Sequence, residues 1–132
     1  MKSKAVLNDG FKSIVDNGRH YAMVTDLPDT QGGTDMGATA LEVSLMAFSG
    51  CVTTIFKMVA TKMRLNLEKI VVEMDAEKGK ETIEKVDFKV DVFSSDSEDK
   101  LQKCLENTLN SCPVGVLFRK AGVTISYTLE KN

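Results

Sequence analysis

From Val86 to Val92 every second residue is apolar: Val86, Phe88, Val90 and Val92 alternate with Asp87, Lys89 and Asp91. A period of two sends alternate side chains to opposite faces of a pleated strand, so the run predicts a half-buried antiparallel strand over Thr82 to Phe93. A weaker alternation, Ile70, Val72 and Met74 against Val71, Glu73 and Asp75, predicts its partner over Leu65 to Lys78, with Gly79 at the turn. Near the N-terminus, Ser3–Asn8, Phe11–Val15 and His20–Thr25 are short strand-like runs. Asn8-Asp9-Gly10 and Asp16-Asn17-Gly18 separate them, and both are hairpin-turn signals, so a three-stranded meander is expected. Val123 to Leu129 alternates as a last strand.

Elsewhere the period lengthens to that of a helix. Leu41, Leu45, Phe48, Val52, Ile55, Phe56, Val59 and Met63 predict a main helix over Thr39 to Arg64. Thr39 is its expected N-cap, and Glu42 three residues on completes a capping box. Between Val43 and Phe56 the helix is apolar or small nearly all round, the pattern of a helix enclosed by protein. At 1.5 Å per residue it would run about 39 Å, long for a domain of this size, and a second copy of the chain covering part of it is expected. Leu101, Cys104, Leu105, Thr108 and Leu109 predict a second helix, capped by Ser94-Ser95-Asp96-Ser97 and ended by Asn110-Ser111. Pro113 suits the first turn of a third, short helix, which Gly122 terminates after Arg119 and Lys120. Leu27 to Ala38, holding Pro28, Gly32, Gly33 and Gly37, reads as a loop. The order β-β-β-α-β-β-α-α-β argues an α+β fold with a mostly antiparallel sheet, and 132 residues fit one domain over 1–132.

Composition narrows the function. With 42% hydrophobic and 27% charged residues the chain reads as globular rather than disordered. A net charge of -2 and scattered Lys and Arg leave no electrostatic footprint for nucleic acid, and no acidic tail suggests a basic partner. Met1 to Asp9 has no apolar run of the kind a secretory signal needs, and the uncharged Val43–Phe56 stretch is short of the roughly 20 residues of a membrane span. A cytoplasmic protein without membrane attachment is the expectation.

In a reducing compartment, cysteines that pair do so transiently, in catalysis or sensing. Cys51, Cys104 and Cys112 form no CxxC and have no histidine spacing typical of zinc, so no metal and no other cofactor is expected. Cys112 precedes Pro113 at a helix start, where free backbone N–H groups and the helix dipole lower a thiol pKa. Cys51 follows Gly50 in mid-helix. Glycine there costs roughly 1 kcal/mol against alanine and marks close approach of another backbone or a ligand. Cys112 could equally be a chance loop cysteine, and a mid-helix cysteine on an apolar helix, such as Cys51, is more often core filling. Cys104, on the apolar stripe of the second helix, is expected to be core. His20, the single histidine, could pair with a cysteine, though no spacing supports it. Arg19 and Glu42 could hold a thiolate by charge, Arg19 equally being a turn residue and Glu42 a cap.

Gly32-Gly33-Thr34-Asp35-Met36-Gly37, then Glu42, then Ser44 through Ser49-Gly50-Cys51 resembles the OsmC/Ohr family, in which a Gly-rich loop and a Glu precede an apolar helix reaching a Gly-Cys step. Cys112-Pro113-Val114, about 60 residues later, resembles the family's second motif, and the order of elements is similar along the whole chain. The resemblance implies an intertwined homodimer, its sheet wrapped around long buried central helices. It also implies reduction of organic hydroperoxides, with Cys51 attacking, Cys112 resolving, and a dithiol, small or carried by a lipoylated or thioredoxin-like protein, restoring both. Better-studied members have a Glu ten residues before the first cysteine, where this chain has Leu41 and places Glu42 at nine. Their Arg lies in the first hairpin, where this chain has Asp9-Gly10-Phe11-Lys12, leaving Arg19 as a substitute. The pattern is closer to the OsmC-like branch. Two further readings use the same residues: a redox sensor or disulfide-handling protein switching slowly, and a module holding an apolar ligand at a dimer interface.

Overall fold

The strongest alternation in the chain becomes the centre of a sheet. A computed structural model describes all residues, Met1–Asn132, with six strands and three helices in the expected order. They are β1 (Lys4–Asp9), β2 (Lys12–Asp16), β3 (Ala22–Thr25), α1 (Ala40–Lys62), β4 (Leu67–Lys78), β5 (Ile83–Ser94), α2 (Glu98–Ser111), α3 (Pro113–Lys120) and β6 (Thr124–Lys131). The chain forms two compact units, Met1–Ser44 and Leu45–Asn132, and α1 begins in the first and continues in the second.

In the first unit β1, β2 and β3 form an antiparallel meander. Gly10 takes a positive φ of 55° in the turn between β1 and β2, a conformation glycine adopts without steric cost. The sheet buries little: Leu7, Ile14 and Tyr21 are 61%, 50% and 72% exposed. Its anchor is Asp26, just past β3 and only 3% exposed. The Asp26 carboxylate accepts from the Leu27 N–H (2.8 Å), the Thr34 N–H (3.1 Å) and the Thr34 hydroxyl (2.6 Å), with a longer bond from the Met36 N–H (3.3 Å). These bonds close the Gly-rich segment on itself, and a side chain at Gly33 or Gly37 would run into the carbonyl of Leu27 or Val24. A 3-10 turn at Asp29–Gln31 interrupts what the sequence reads as featureless loop.

In the second unit β5 lies between β4 and β6. Val86, Val90 and Val92 are fully buried and Phe88 nearly so, and Leu101 and Leu105 of α2 are buried with them. β4 pairs with β5 antiparallel, as expected, but β6 pairs with β5 in parallel. α2 and α3 lie between β5 and β6 in the chain, and a crossover of that length is what a parallel pair requires.

The main helix is buried only in part by its own chain. In the single chain α1 buries one stripe, Phe48, Val52, Phe56 and Ala60, instead of all sides. Phe48 meets Phe88 of β5 edge-on and stacks on Phe118 of α3, with ring centroids 6.0 and 4.9 Å apart. Met46 and Met58 stay about half exposed. The expectation that no segment could span a bilayer also needs correcting. The 23-residue α1 is long and apolar enough by length and composition, a test that core helices of soluble proteins pass as well.

Candidate functional site

Helix α2 ends at Ser111 because Pro113 disfavours helical geometry in the residue before it, and Cys112 adopts φ -70°, ψ 110°. Cys112 therefore belongs to two helices at once. Its N–H still donates to the Thr108 carbonyl of α2 (2.8 Å), and its own carbonyl accepts from the Val116 N–H of α3 (2.9 Å). As the N-cap of α3 its sulfur accepts a hydrogen bond from the Gly115 N–H at 3.3 Å. The break between the two helices thus aims the Cys112 side chain at α1, where Cys51 follows Gly50.

The Cys112 thiol donates to Cys51 Sγ at a sulfur–sulfur distance of 2.9 Å, and both cysteines are free thiols. A disulfide needs about 2.05 Å, so it would close with a shift of less than about 1 Å. The two sulfurs differ in access: Cys112 is fully buried and Cys51 half-buried. Burial, and next the hydrogen bond it gives Cys51, push the Cys112 thiol up to about 11, while the Gly115 N–H pulls weakly the other way. This overturns the expectation of a lowered pKa at Cys112. The helix start is there, but removing the sulfur from water outweighs it. Cys112 keeps its proton and presents it to Cys51.

The remaining candidates do other work. Glu42 accepts from the Thr39 N–H (2.6 Å) and the Thr39 hydroxyl accepts from the Glu42 N–H (3.2 Å), completing the capping box in the first unit. These bonds to Thr39 hold the Glu42 carboxyl below its ordinary range. Arg19 lies in the exposed turn after β2, where its N–H bonds the Asn17 side chain (3.0 Å). Neither Arg19 nor Glu42 forms an ion pair. His20 is exposed in the same turn. Cys104 is fully buried in α2, its thiol directed at the Phe56 carbonyl (3.8 Å) and pushed up to about 11 by burial, as a core cysteine should be. No group of three His, Cys, Asp or Glu side chains could hold a metal ion. Sequence reasoning missed Gly115 and Asp26. A Gly three residues after an N-cap cysteine, and an Asp eight before a Thr in a Gly-rich loop, were the available signals.

Phe48 lines both the cysteine site, where it packs on Gly115, and a cleft of about 370 Å³ whose other walls include Leu109, Arg119, Ile125 and Tyr127. Arg119 donates to the Leu109 carbonyl at 2.9 Å across that cleft.

The family described as OsmC-like protein matches residues 32–128. No curated protein matches the chain in sequence. Among solved structures, an OsmC-like protein from Mycoplasma pneumoniae superposes with a TM-score of 0.88 at 14% identity, covering 98% of this chain and 95% of that one. An organic hydroperoxide resistance protein from Elizabethkingia anophelis gives 0.77 at 14% identity, over 98% and 94%. Another from Legionella pneumophila, also described as a predicted redox protein, gives 0.74 at 12%, over 98% and 95%. At such identities these structures share the fold. The family match, running from the Gly-rich loop into the last strand and taking in both Cys51 and Cys112, is the firmer ground: this chain belongs to the OsmC-like protein family.

Proposed function

We propose that the protein reduces organic hydroperoxides with Cys51 and Cys112 as its redox pair. The observation that carries this reading is the pair of free sulfurs 2.9 Å apart, one reachable from solvent and the other buried and protonated. Cys51 as thiolate attacks the peroxide: an S–O bond forms, the O–O bond breaks, and the alkoxide leaves as the alcohol after taking a proton. Cys51 is then a sulfenic acid. Attack by the Cys112 thiol forms the disulfide and releases water, and a dithiol restores both cysteines by exchange. The apolar α1 residues that flank Cys51 in the chain, Phe48 and Val52 among them, favour alkyl or lipid hydroperoxides over hydrogen peroxide. A cytoplasmic homodimer is the working state of this reading.

Consumption of cumene hydroperoxide by the purified protein with dithiothreitol tests it, with Cys51→Ser as control. Turnover that depends on Cys51 supports the proposal, and equal consumption by both proteins ends it.

One observation favours a second reading. The hydrogen-bond partner of Cys51 is another thiol rather than a charged side chain. The same pair could serve as a slow sensor, closing one disulfide per oxidation event. Stoichiometric disulfide formation without multiple turnovers would select that reading.

A further inference from the structure

The mechanism above explains why two sulfurs are close but not what keeps them so. Cys112 sits at a break between helices, where a side chain could take several orientations. Two groups narrow the choice. The Gly115 N–H donates to Cys112 Sγ at 3.3 Å, and Phe48 packs over Gly115 from α1. A methyl group at position 115 would stand 2.9 Å from Phe48 Cε2 and 3.5 Å from Cys112 Sγ. The first distance is shorter than carbon atoms tolerate. Phe48 is fully buried and held by Phe88 and Phe118, so its ring has little room to retreat. Only hydrogen at position 115 lets the first turn of α3 press against α1 while its N–H reaches the sulfur.

We propose that Gly115 is a positioning residue of the redox pair, holding Cys112 Sγ in line with Cys51 by its N–H and by the absence of a side chain against Phe48. This rests on the reading of Cys112 as the resolving thiol. In the step concerned, the S–S bond forms as the S–O bond of Cys51 sulfenic acid breaks. The departing hydroxide takes the Cys112 proton and leaves as water, and no outside reactant enters. Gly115 acts only through the place and direction of the attacking sulfur, so it affects closure and not the first attack on peroxide.

The test separates those two steps. One equivalent of cumene hydroperoxide is added to the reduced protein, dimedone traps the Cys51 sulfenic acid, and mass spectrometry follows the Cys51–Cys112 disulfide. In Gly115→Ala, peroxide should be consumed at the wild-type rate while the disulfide closes about tenfold more slowly or worse, since a misplacement of about 1 Å can cost about 100-fold. Phe48→Leu combined with Gly115→Ala vacates the space the methyl needs, and closure should return to the rate of Phe48→Leu alone. Closure at the wild-type rate in Gly115→Ala overturns the proposal. So does slow closure that the double variant fails to relieve relative to Phe48→Leu. If Gly115→Ala does not fold, the double variant carries the comparison by the same criterion. Oxidation with diamide, in which Cys112 displaces a hydrazine from the Cys51 adduct instead of hydroxide, should rank the variants in the same order of closure. A wild-type protein inert to hydroperoxide but closing with diamide would therefore sink the peroxidase reading and leave Gly115 on trial separately.

Discussion

At the residue scale the two cysteines are chemically unequal, and the inequality comes from burial rather than from the helix terminus. Cys112 is sealed from water and donates its proton, whereas Cys51 is half-open. Cys112→Ser should therefore consume about one equivalent of cumene hydroperoxide and stop, with Cys51 sulfenic acid persisting long enough to be labelled by dimedone. Continued turnover at the wild-type rate would show that Cys112 resolves nothing. The pair itself was legible in the sequence, through a Gly-Cys step in an apolar helix and a Cys-Pro step at a helix start. The direction of the Cys112 pKa was not legible. Helix-start chemistry is local, but desolvation depends on which side chains close over the sulfur, and those come from α1 and α3. Gly115 escaped for the same reason: its neighbour Phe48 is far away in sequence.

At the element scale, local rules located every strand and helix to within a few residues but misjudged what the elements face. The Thr39/Glu42 capping box formed as spacing predicted. Thr39→Ala should cost about 1 kcal/mol in chemical denaturation. It should leave disulfide closure unchanged, because the box sits at the start of α1, about two and a half turns before Cys51, and bonds only within itself; a slower closure would tie the cap to the site. The Gly-rich segment is different. It reads as an open loop, yet Asp26 gathers three backbone N–H groups and a hydroxyl, an arrangement no dipeptide rule foresees. The Thr34 hydroxyl first, then the backbone N–H groups, lower the Asp26 carboxyl from 3.8 to about 2 against the opposing effect of burial. A folded-state pKa below the unfolded value means that folding favours the carboxylate. Its stabilisation is full above about pH 4 and is lost as pH falls through about 2. Asp26→Asn should lower Tm at neutral pH and flatten the decline in Tm between pH 4 and 2. Amide exchange at Thr34 and Met36 should accelerate in the same variant. An unchanged acid profile would mean that other carboxylates dominate there.

At the scale of the whole molecule, the sequence implied a helix enclosed on all sides, and one chain encloses only one. Phe48, Val52, Phe56 and Ala60 recur every fourth residue on the buried stripe. Met46, Gly50, Thr54 and Met58 recur with the same spacing, offset by two residues and so about 200° around the axis. All four are exposed, and a Cβ at Gly50 would meet nothing within 4 Å. Glycine in mid-helix sacrifices up to about 1 kcal/mol against other residues, yet nothing in the chain itself uses the space it leaves. The first unit tells the same story, with Leu7, Ile14 and Tyr21 largely in water. A second copy, its helix laid against the Gly50 stripe, would account for both surfaces. Light scattering should then give twice the 14.5 kDa of one chain. Gly50→Leu separates the alternatives, because the two effects of the substitution have opposite signs. In an isolated chain it improves helix propensity and fills only solvent, so stability should rise by somewhat under about 1 kcal/mol. In a dimer packed through this stripe the leucine holds the two helices apart, so the species should shift toward 14.5 kDa and unfold at lower denaturant. A variant that stays dimeric and gains stability would place the partner elsewhere, and a monomeric wild type would leave the exposed stripe without an occupant.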